Sequence, residues 1–242
     1  MQVTGLNPAT APIKAILFDK DGTLLDYHRS WAPINERSAA HASQGDTALE
    51  ARLLALGGLD IATGRYRSGS LLAAGNVAEI AAAWIAAGSP FEAATLTREL
   101  DGIFCAGVAA VVPVTDLAAS SLRVRACRLI LGIASNASEA EIHSTLARFE
   151  CSGLIDFVAG YDSGFGVKPE PGMLAAFAAS ISLAPVSIAM VGDNWHDLEM
   201  GRRGGAGLRV GVLTGTGSRA DLTPHADVCL DSICELETAL FD

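Results

Sequence analysis

Apolar and polar positions follow two different registers along this chain. Near the start, Ile13 to Phe18 is an apolar run broken only by Lys14 and ended at once by Asp19, Asp21 and Gly22, which predicts a short buried strand. From His28 to about Val112 the spacing changes to threes and fours. Ala48, Leu49, Arg52, Leu53 and Leu56, then Val77, Ile80, Trp84 and Ile85, recur at helical intervals with almost no β-branched runs. About four helices are expected there, with Val111-Val112-Pro113-Val114 as the return linker.

From Asp116 onward strands and helices alternate. Strands are predicted over Arg128–Ala134, Phe157–Ala159, Ser187–Val191 and Leu208–Leu213. Helices are predicted after Ser138, with Ile142, Leu146 and Phe149 on one face, over 170–182, and from about His196. Ser138 with Glu141, and Ser232 with Glu235, match the capping-box spacing at a helix start. Residues 1–12, with two prolines and little periodicity, read as a loose leader. Repeated strand–helix units imply an α/β fold with a mostly parallel sheet, whose crevice lies at the carboxyl ends of the strands. The expected organisation is an α/β core from 1–27 and 113–242, interrupted after its first strand by a helical segment over 28–112.

Composition narrows the picture. Half of the 242 residues are hydrophobic and 18% are charged, which is globular rather than disordered. A net charge of −10 argues against a nucleic-acid surface, and Arg123, Arg125 and Arg128 read as a solvated helix face. No basic segment leads into an apolar one at the N-terminus, so no signal peptide is expected. The Ala-rich stretch Leu71–Ala87, broken by Asn76 and Glu79, is too short and polar to cross a membrane. Five widely spaced cysteines with no C-x-x-C pair look like reduced core residues and suggest a cytoplasmic protein.

Four clusters carry candidate chemistry. In extended backbone Asp19 and Asp21 project to one side, and two carboxylates so close resist joint ionisation unless a cation joins them or one stays protonated. Gly22 allows the turn that follows, although Asp-Gly is equally an ordinary turn signal. Lys20, between them, is expected to point away from both. Ser135-Asn136 follows a predicted strand and precedes a capped helix, which suits an anion site as well as a plain turn.

Lys168 lies between glycines and prolines in Gly164–Pro171. The chain holds three lysines against fourteen arginines, so each retained lysine is informative. Asp193 and Asp197 are four apart at a strand end and suit Mg²⁺, whereas Asp193 or Asn194 can equally cap the helix that follows. His196 reads as a bystander. Gly215-Thr216-Gly217-Ser218-Arg219-Ala220 matches a dinucleotide motif, but too little chain follows to complete the unit. In the helical segment, Arg65 and Arg67 flank Tyr66 between glycines. They are candidate contacts to a second anionic group on a substrate, or part of a polar turn.

Taken in order, Asp19-Lys20-Asp21-Gly22-Thr23, Ser135-Asn136, Lys168, and Gly192-Asp193 with Asp197 resemble the haloacid dehalogenase-like hydrolase superfamily and its phosphoglycolate phosphatase-like branch. The likeness runs from Ile13 to about Asp231. It implies a Rossmann-like core with a helical cap, and a Mg²⁺-dependent phosphatase acting on a small phosphorylated metabolite. In that reading Asp19 is the nucleophile and Asp21 the general acid and base. Mg²⁺ is held by Asp19, the main-chain carbonyl of Asp21, and Asp193. Ser135, Asn136 and Lys168 bind the phosphoryl group, and Asp197 holds a metal-bound water or orients Lys168. Asp21 argues against the family's dehalogenase chemistry, and a segment 28–112 without lysine argues against its phosphonatase chemistry. A sugar-phosphate mutase and an inactive binding module remain alternatives.

Overall fold

Strand β1 (Ala15–Phe18) is buried along its whole length, and the other layers are built on it. In the computed structural model, which describes residues 12–241, it lies in the middle of a six-stranded sheet. The leader expected over 1–12 lies outside the described residues apart from Pro12. The other strands are β4 (Ile130–Ala134), β5 (Phe157–Ala159), β6 (Ile188–Gly192), β7 (Leu208–Val212) and β8 (Val228–Leu230), in the order β5-β4-β1-β6-β7-β8. Every pairing is parallel.

Alternation along β1 sorts its residues between two faces. Ile16 and Phe18 pack with Leu131, Ile133, Val191 and Val210 on one side, and Ala15 and Leu17 pack with Ile188, Met190 and Phe177 on the other. Helix α6 (Leu117–Ala126) and α7 (Glu139–Arg148) supply Leu117, Val124, Ile142 and Leu146 to the first face. Helix α8 (Gly172–Ser180) and α9 (Trp195–Gly204) supply Phe177 and Met200 to the second.

The chain leaves this layer after Leu25 and returns at Pro113, where the two passages form an isolated antiparallel bridge. Asp26 N donates to Val112 O at 2.9 Å and Val114 N to Leu24 O at 3.0 Å, so the outgoing and returning chains are stitched together. Between them lie α1 (Tyr27–Ser43), α2 (Thr47–Gly57), α3 (Leu71–Ala74), α4 (Val77–Ala86) and α5 (Ala93–Gly107). Leu53, Trp84, Leu96 and Leu100 are fully buried at their centre; of the positions the threes-and-fours spacing marks, Leu49, Leu53, Val77, Ile80 and Trp84 are buried, while Leu56 is exposed. No helix among the described residues is long and apolar enough to cross a membrane.

Several expectations change. The helical segment also contains an antiparallel ribbon, β2 (Leu59–Asp60) with β3 (Arg65–Tyr66), too short for its alternation to show in sequence. Helix α10 (Arg219–Leu222) and β8 were not expected. Neither predicted capping box closes. Ser138 Oγ accepts from Glu141 N, but the Glu141 side chain runs inward to Lys20. Ser232 Oγ accepts from Cys234 N, and Glu235 reaches the amide of Asp231, ahead of a 3₁₀ turn and α11 (Leu236–Phe241). All five cysteines are free thiols, but Cys151 alone is buried while Cys127 and Cys234 are exposed, so the reading of them as core residues holds for one.

Phe177 is fully buried, with its ring 5.3 Å from that of Phe157. Phe177→Ala is expected to lower stability by about 3–5 kcal/mol in chemical denaturation through the cavity it leaves.

Candidate active site

The register of the central strands sets out the site. Phe18 pairs with Ile133 on one side and Val191 on the other, so β4 and β6 run one residue past the end of β1. The residues that follow, Asp19, Ser135 and Asp193, are thereby delivered side by side at the carboxyl edge, where the sheet order reverses direction around β1. Lys168 reaches in from the loop between β5 and α8, and Asp197 from the first turn of α9.

Lys168 Nζ donates to Asp19 Oδ1 at 2.5 Å and to Asp197 Oδ1 at 2.6 Å. Burial pulls this ammonium down, but the two carboxylates outweigh it and hold its pKa above the ordinary lysine value. Asp19 Oδ2 is buried with no hydrogen-bond partner. Asp197 Oδ2 accepts from Asn194 N at 3.0 Å, closing a true capping box at the start of α9. Asp193 Oδ2 accepts from Thr216 N at 2.8 Å.

Two glycines make room for Asp193. At Gly215 an added Cβ would lie 1.9 Å from Asp193 Oδ2, and at Gly22, which has φ +92°, it would lie 2.5 Å from Asp193 Cγ. The Gly-x-Gly spacing after β7 is thus shaped by a carboxylate rather than by a dinucleotide.

Carboxylate oxygens of Asp19, Asp193 and Asp197 all lie within 4.8 Å of one another. Burial, then Asp19 and Asp197, push Asp193 well above the usual carboxylate range. Burial lifts Asp197 to about 6 against the pull of Lys168. Three buried carboxylates facing one ammonium carry excess negative charge, and Asp19 Oδ2 is an unclaimed acceptor among them. An all-oxygen donor set of this kind fits a hard divalent cation such as Mg²⁺. Asp197 belongs to this cluster, whereas the side chain of Asp21 does not.

Asp21 is held separately. Its Oδ1 accepts from Trp31 Nε1 and from Lys20 Nζ, both at 2.7 Å. Lys20 is fully buried and donates also to Glu141 Oε1 at 2.6 Å. The expectation that Lys20 points away from both aspartates therefore fails. The backbone stops being extended after Asp19: the carbonyl of Lys20 accepts from Leu24 N at 2.9 Å and Leu25 N at 3.1 Å, and the strand's alternation ends with it. Burial lifts Glu141 to about 7, and raises Asp21 also, against the attraction of Lys20. For Lys20 the two carboxylates outweigh burial and raise its pKa, so the ammonium stays charged.

The other candidates divide. Ser135 is buried, with Oγ accepting from Ala137 N at 3.2 Å. Asn136 is a strut. Its Oδ1 accepts from Lys168 N at 3.0 Å and its Nδ2 donates to Ala74 O at 2.7 Å, joining the lysine loop to the helical segment. Thr23 is fully buried and its hydroxyl has no partner. His196 bonds through Nδ1 to Asn194 Oδ1 at 2.9 Å, and burial followed by the nearby Lys168 charge lowers it to about 4. Arg65 and Arg67 are exposed, and neither lines the cavity above the site.

That cavity, about 80 Å³, is closed on the far side by α1, α3, α4 and α5, through Trp31, Asn35, Leu72, Ile80, Asp101 and Phe104. Sequence reasoning missed Lys20, Glu141, Trp31 and Asp101. The rarity of lysine was a usable signal for Lys20, since Lys20 and Lys168 are both buried here.

A family model described as haloacid dehalogenase-like hydrolase matches residues 13–205. No curated protein matches the chain. Among solved structures, the chain is similar to a predicted phosphoglycolate phosphatase from Haemophilus somnus 129PT, at 17% identity and TM-score 0.71, covering 94% of this chain and 97% of that one. It is similar to CbbY from Rhodobacter sphaeroides in complex with phosphate, at 19% identity and TM-score 0.70, with coverage of 93% and 96%. A HAD family hydrolase from Deinococcus radiodurans R1 with bound phosphate and sodium aligns at 20% identity and TM-score 0.66, with coverage of 95% and 96%. At these identities the likeness is one of fold.

Removing one member of a buried ion network leaves the others uncompensated. Lys20→Met is expected to lower stability by about 3–5 kcal/mol in urea denaturation, and adding Glu141→Leu to recover part of the loss. An unchanged midpoint and slope in the single variant would refute the network.

Proposed function

The chain belongs to the haloacid dehalogenase-like hydrolase family, and from that premise we propose that it is a Mg²⁺-dependent phosphatase of small phosphate monoesters, the class that includes phosphoglycolate. The observation that carries this reading is the state of Asp19. One carboxylate oxygen is pinned by Lys168 while the other is buried, unpartnered and beside two further carboxylates. A carboxylate held in this way is oriented for attack and lacks only its electrophile.

In the first half-reaction Asp19 Oδ2 bonds to phosphorus as the ester P–O bond breaks, and Asp21 gives a proton to the departing oxygen. In the second, Asp21 takes a proton from water, the resulting hydroxide bonds to phosphorus, and the bond to Asp19 breaks to release inorganic phosphate. Trp31 and Lys20 hold Asp21 in place through both halves. Lys168 and the hydroxyl of Ser135 are positioned to stabilise phosphoryl oxygens, and Asn136 positions Lys168 through its main chain. Asp19, Asp193 and Asp197 would hold Mg²⁺, with the main-chain carbonyl of Asp21 as a further donor. When bound, the ion supplies positive charge that offsets the crowded carboxylates and the phosphoryl group.

The helical segment, over 28–112, acts in this reading as a cap that screens the intermediate from bulk water. The partner is a small phosphorylated metabolite. The free thiols support a reducing, cytoplasmic setting.

Asp19→Asn is expected to reduce p-nitrophenyl phosphate hydrolysis by at least about a thousandfold while leaving the thermal midpoint within a few degrees of the parent. Turnover persisting in that variant would overturn the nucleophile. Chelation with EDTA is expected to abolish phosphate release and added Mg²⁺ to restore it; activity indifferent to both would remove the metal from the reading. Net release of inorganic phosphate, rather than an isomerised sugar phosphate, separates this enzyme from a mutase.

A further inference from the structure

Resting on the phosphatase reading above, we propose that the substrate's organic part bears no second negative charge and presents a hydrogen-bond donor, a hydroxyl or an ammonium, to Asp101. Six carboxylates line the cavity, those of Asp19, Asp21, Asp101, Glu141, Asp193 and Asp197. Among the described residues that line it, Lys168 carries the one ammonium, and that group is engaged by Asp19 and Asp197. Lys20 lies outside the lining and is engaged by Asp21 and Glu141. His196 also lines the cavity, and its Nδ1 is engaged by Asn194 Oδ1 at 2.9 Å.

Mg²⁺ held by Asp19, Asp193 and Asp197 would offset charge at the sheet edge, but a carboxylate or second phosphate on the organic end would face Asp101 in the opposite wall, and the lining has no lysine or arginine besides Lys168 to pair with it. Burial without a partner is unfavourable for an anion, and adjacent like charges make it worse. Arg65 and Arg67, the residues that pointed toward an anionic substrate end, are exposed and outside the lining.

Asp101 offers the complementary feature. It sits on α5, in the wall opposite the sheet edge, and lines the cavity. Tyr161 donates its hydroxyl to Asp101 Oδ2 at 3.1 Å, which orients the carboxylate while leaving it capacity to accept another hydrogen bond. Burial raises its pKa, with hydrogen bonds from Tyr161 and Ser138 opposing, and a substrate donor would add a further partner to the carboxylate. The neighbouring wall is apolar, with Val77, Ile80 and Phe104 available to a short carbon chain.

The test measures kcat/KM from phosphate release by the full chain with Mg²⁺, for p-nitrophenyl phosphate, phosphoglycolate, glycerol 3-phosphate and phosphoethanolamine. The expected result is that glycerol 3-phosphate or phosphoethanolamine exceeds phosphoglycolate by at least about tenfold, the better of the two identifying the donor as hydroxyl or ammonium. Asp101→Leu should raise KM for the preferred ester and shrink that ratio to about threefold or less, and Asp101→Arg should move preference toward phosphoglycolate. Phosphoglycolate equal to or better than both esters, in a protein that turns over p-nitrophenyl phosphate, overturns the inference. That comparison needs no variant to fold. No turnover of any ester, p-nitrophenyl phosphate included, brings down the phosphatase reading and this inference with it.

Discussion

A single buried ammonium, that of Lys168, holds the centre of this protein together. Asp19, Asp193 and Asp197 crowd into a few ångströms of low-dielectric space, and Lys168 bonds two of them at once. Without it, three carboxylates could not share that volume in ionised form. With it, three ionised carboxylates still leave two negative charges in excess, and one oxygen of Asp19 stays without a hydrogen-bond partner. In the proposed reading, the same imbalance draws a divalent cation to the cluster and leaves Asp19 to attack phosphorus.

The surrounding backbone exists to permit this crowding. Three parallel strands ending within one residue of one another bring the carboxylates to one edge, and glycines at 22 and 215 remove the two Cβ atoms that would collide with Asp193. Asp21 is kept out of the acidic cluster by a second network, in which Lys20 ties it to Glu141 and Trp31 donates from the first helix of the inserted segment. Two adjacent aspartates thus acquire different surroundings. One is bonded to a lysine shared with Asp197, and the other to a lysine shared with Glu141. Under the proposed mechanism these partners would separate acid–base chemistry from nucleophilic attack, since residue type alone does not distinguish the two aspartates.

The inserted helices contribute more than a cover. Trp31 donates to Asp21, the carbonyl of Ala74 accepts from Asn136, and Asp101 is held by Tyr161 of the core. Each of these is a polar contact across the boundary between segments, so closing the cavity and aligning its reacting groups are linked. The walls so formed are apolar or acidic, which makes the character of the organic end of the substrate a matter of charge balance as much as of shape.

Much of this was legible in the chain itself. The apolar run Ile13–Phe18 and the helical spacing over 28–112 mark the central strand and the interruption after it, because burial on both faces leaves a continuous apolar run and burial on one stripe leaves a helical period. Asp19, Lys168, Asp193 and Asp197 were recognisable because a strand end followed by turn residues is where a parallel sheet presents side chains, and because lysine is rare enough here to stand out. The roles of Lys20, Glu141, Asn136 and Asp101 were not. Glu141 has the spacing of a capping residue and becomes the partner of a lysine 121 positions away, while Asn136 reads as an anion ligand and serves as a strut. Local pattern determined which elements form and which residues reach the edge of the sheet. The partner each polar group takes was decided only by the tertiary fold, because at that edge desolvation makes every donor and acceptor bond to whatever the packing brings nearest, however distant in sequence.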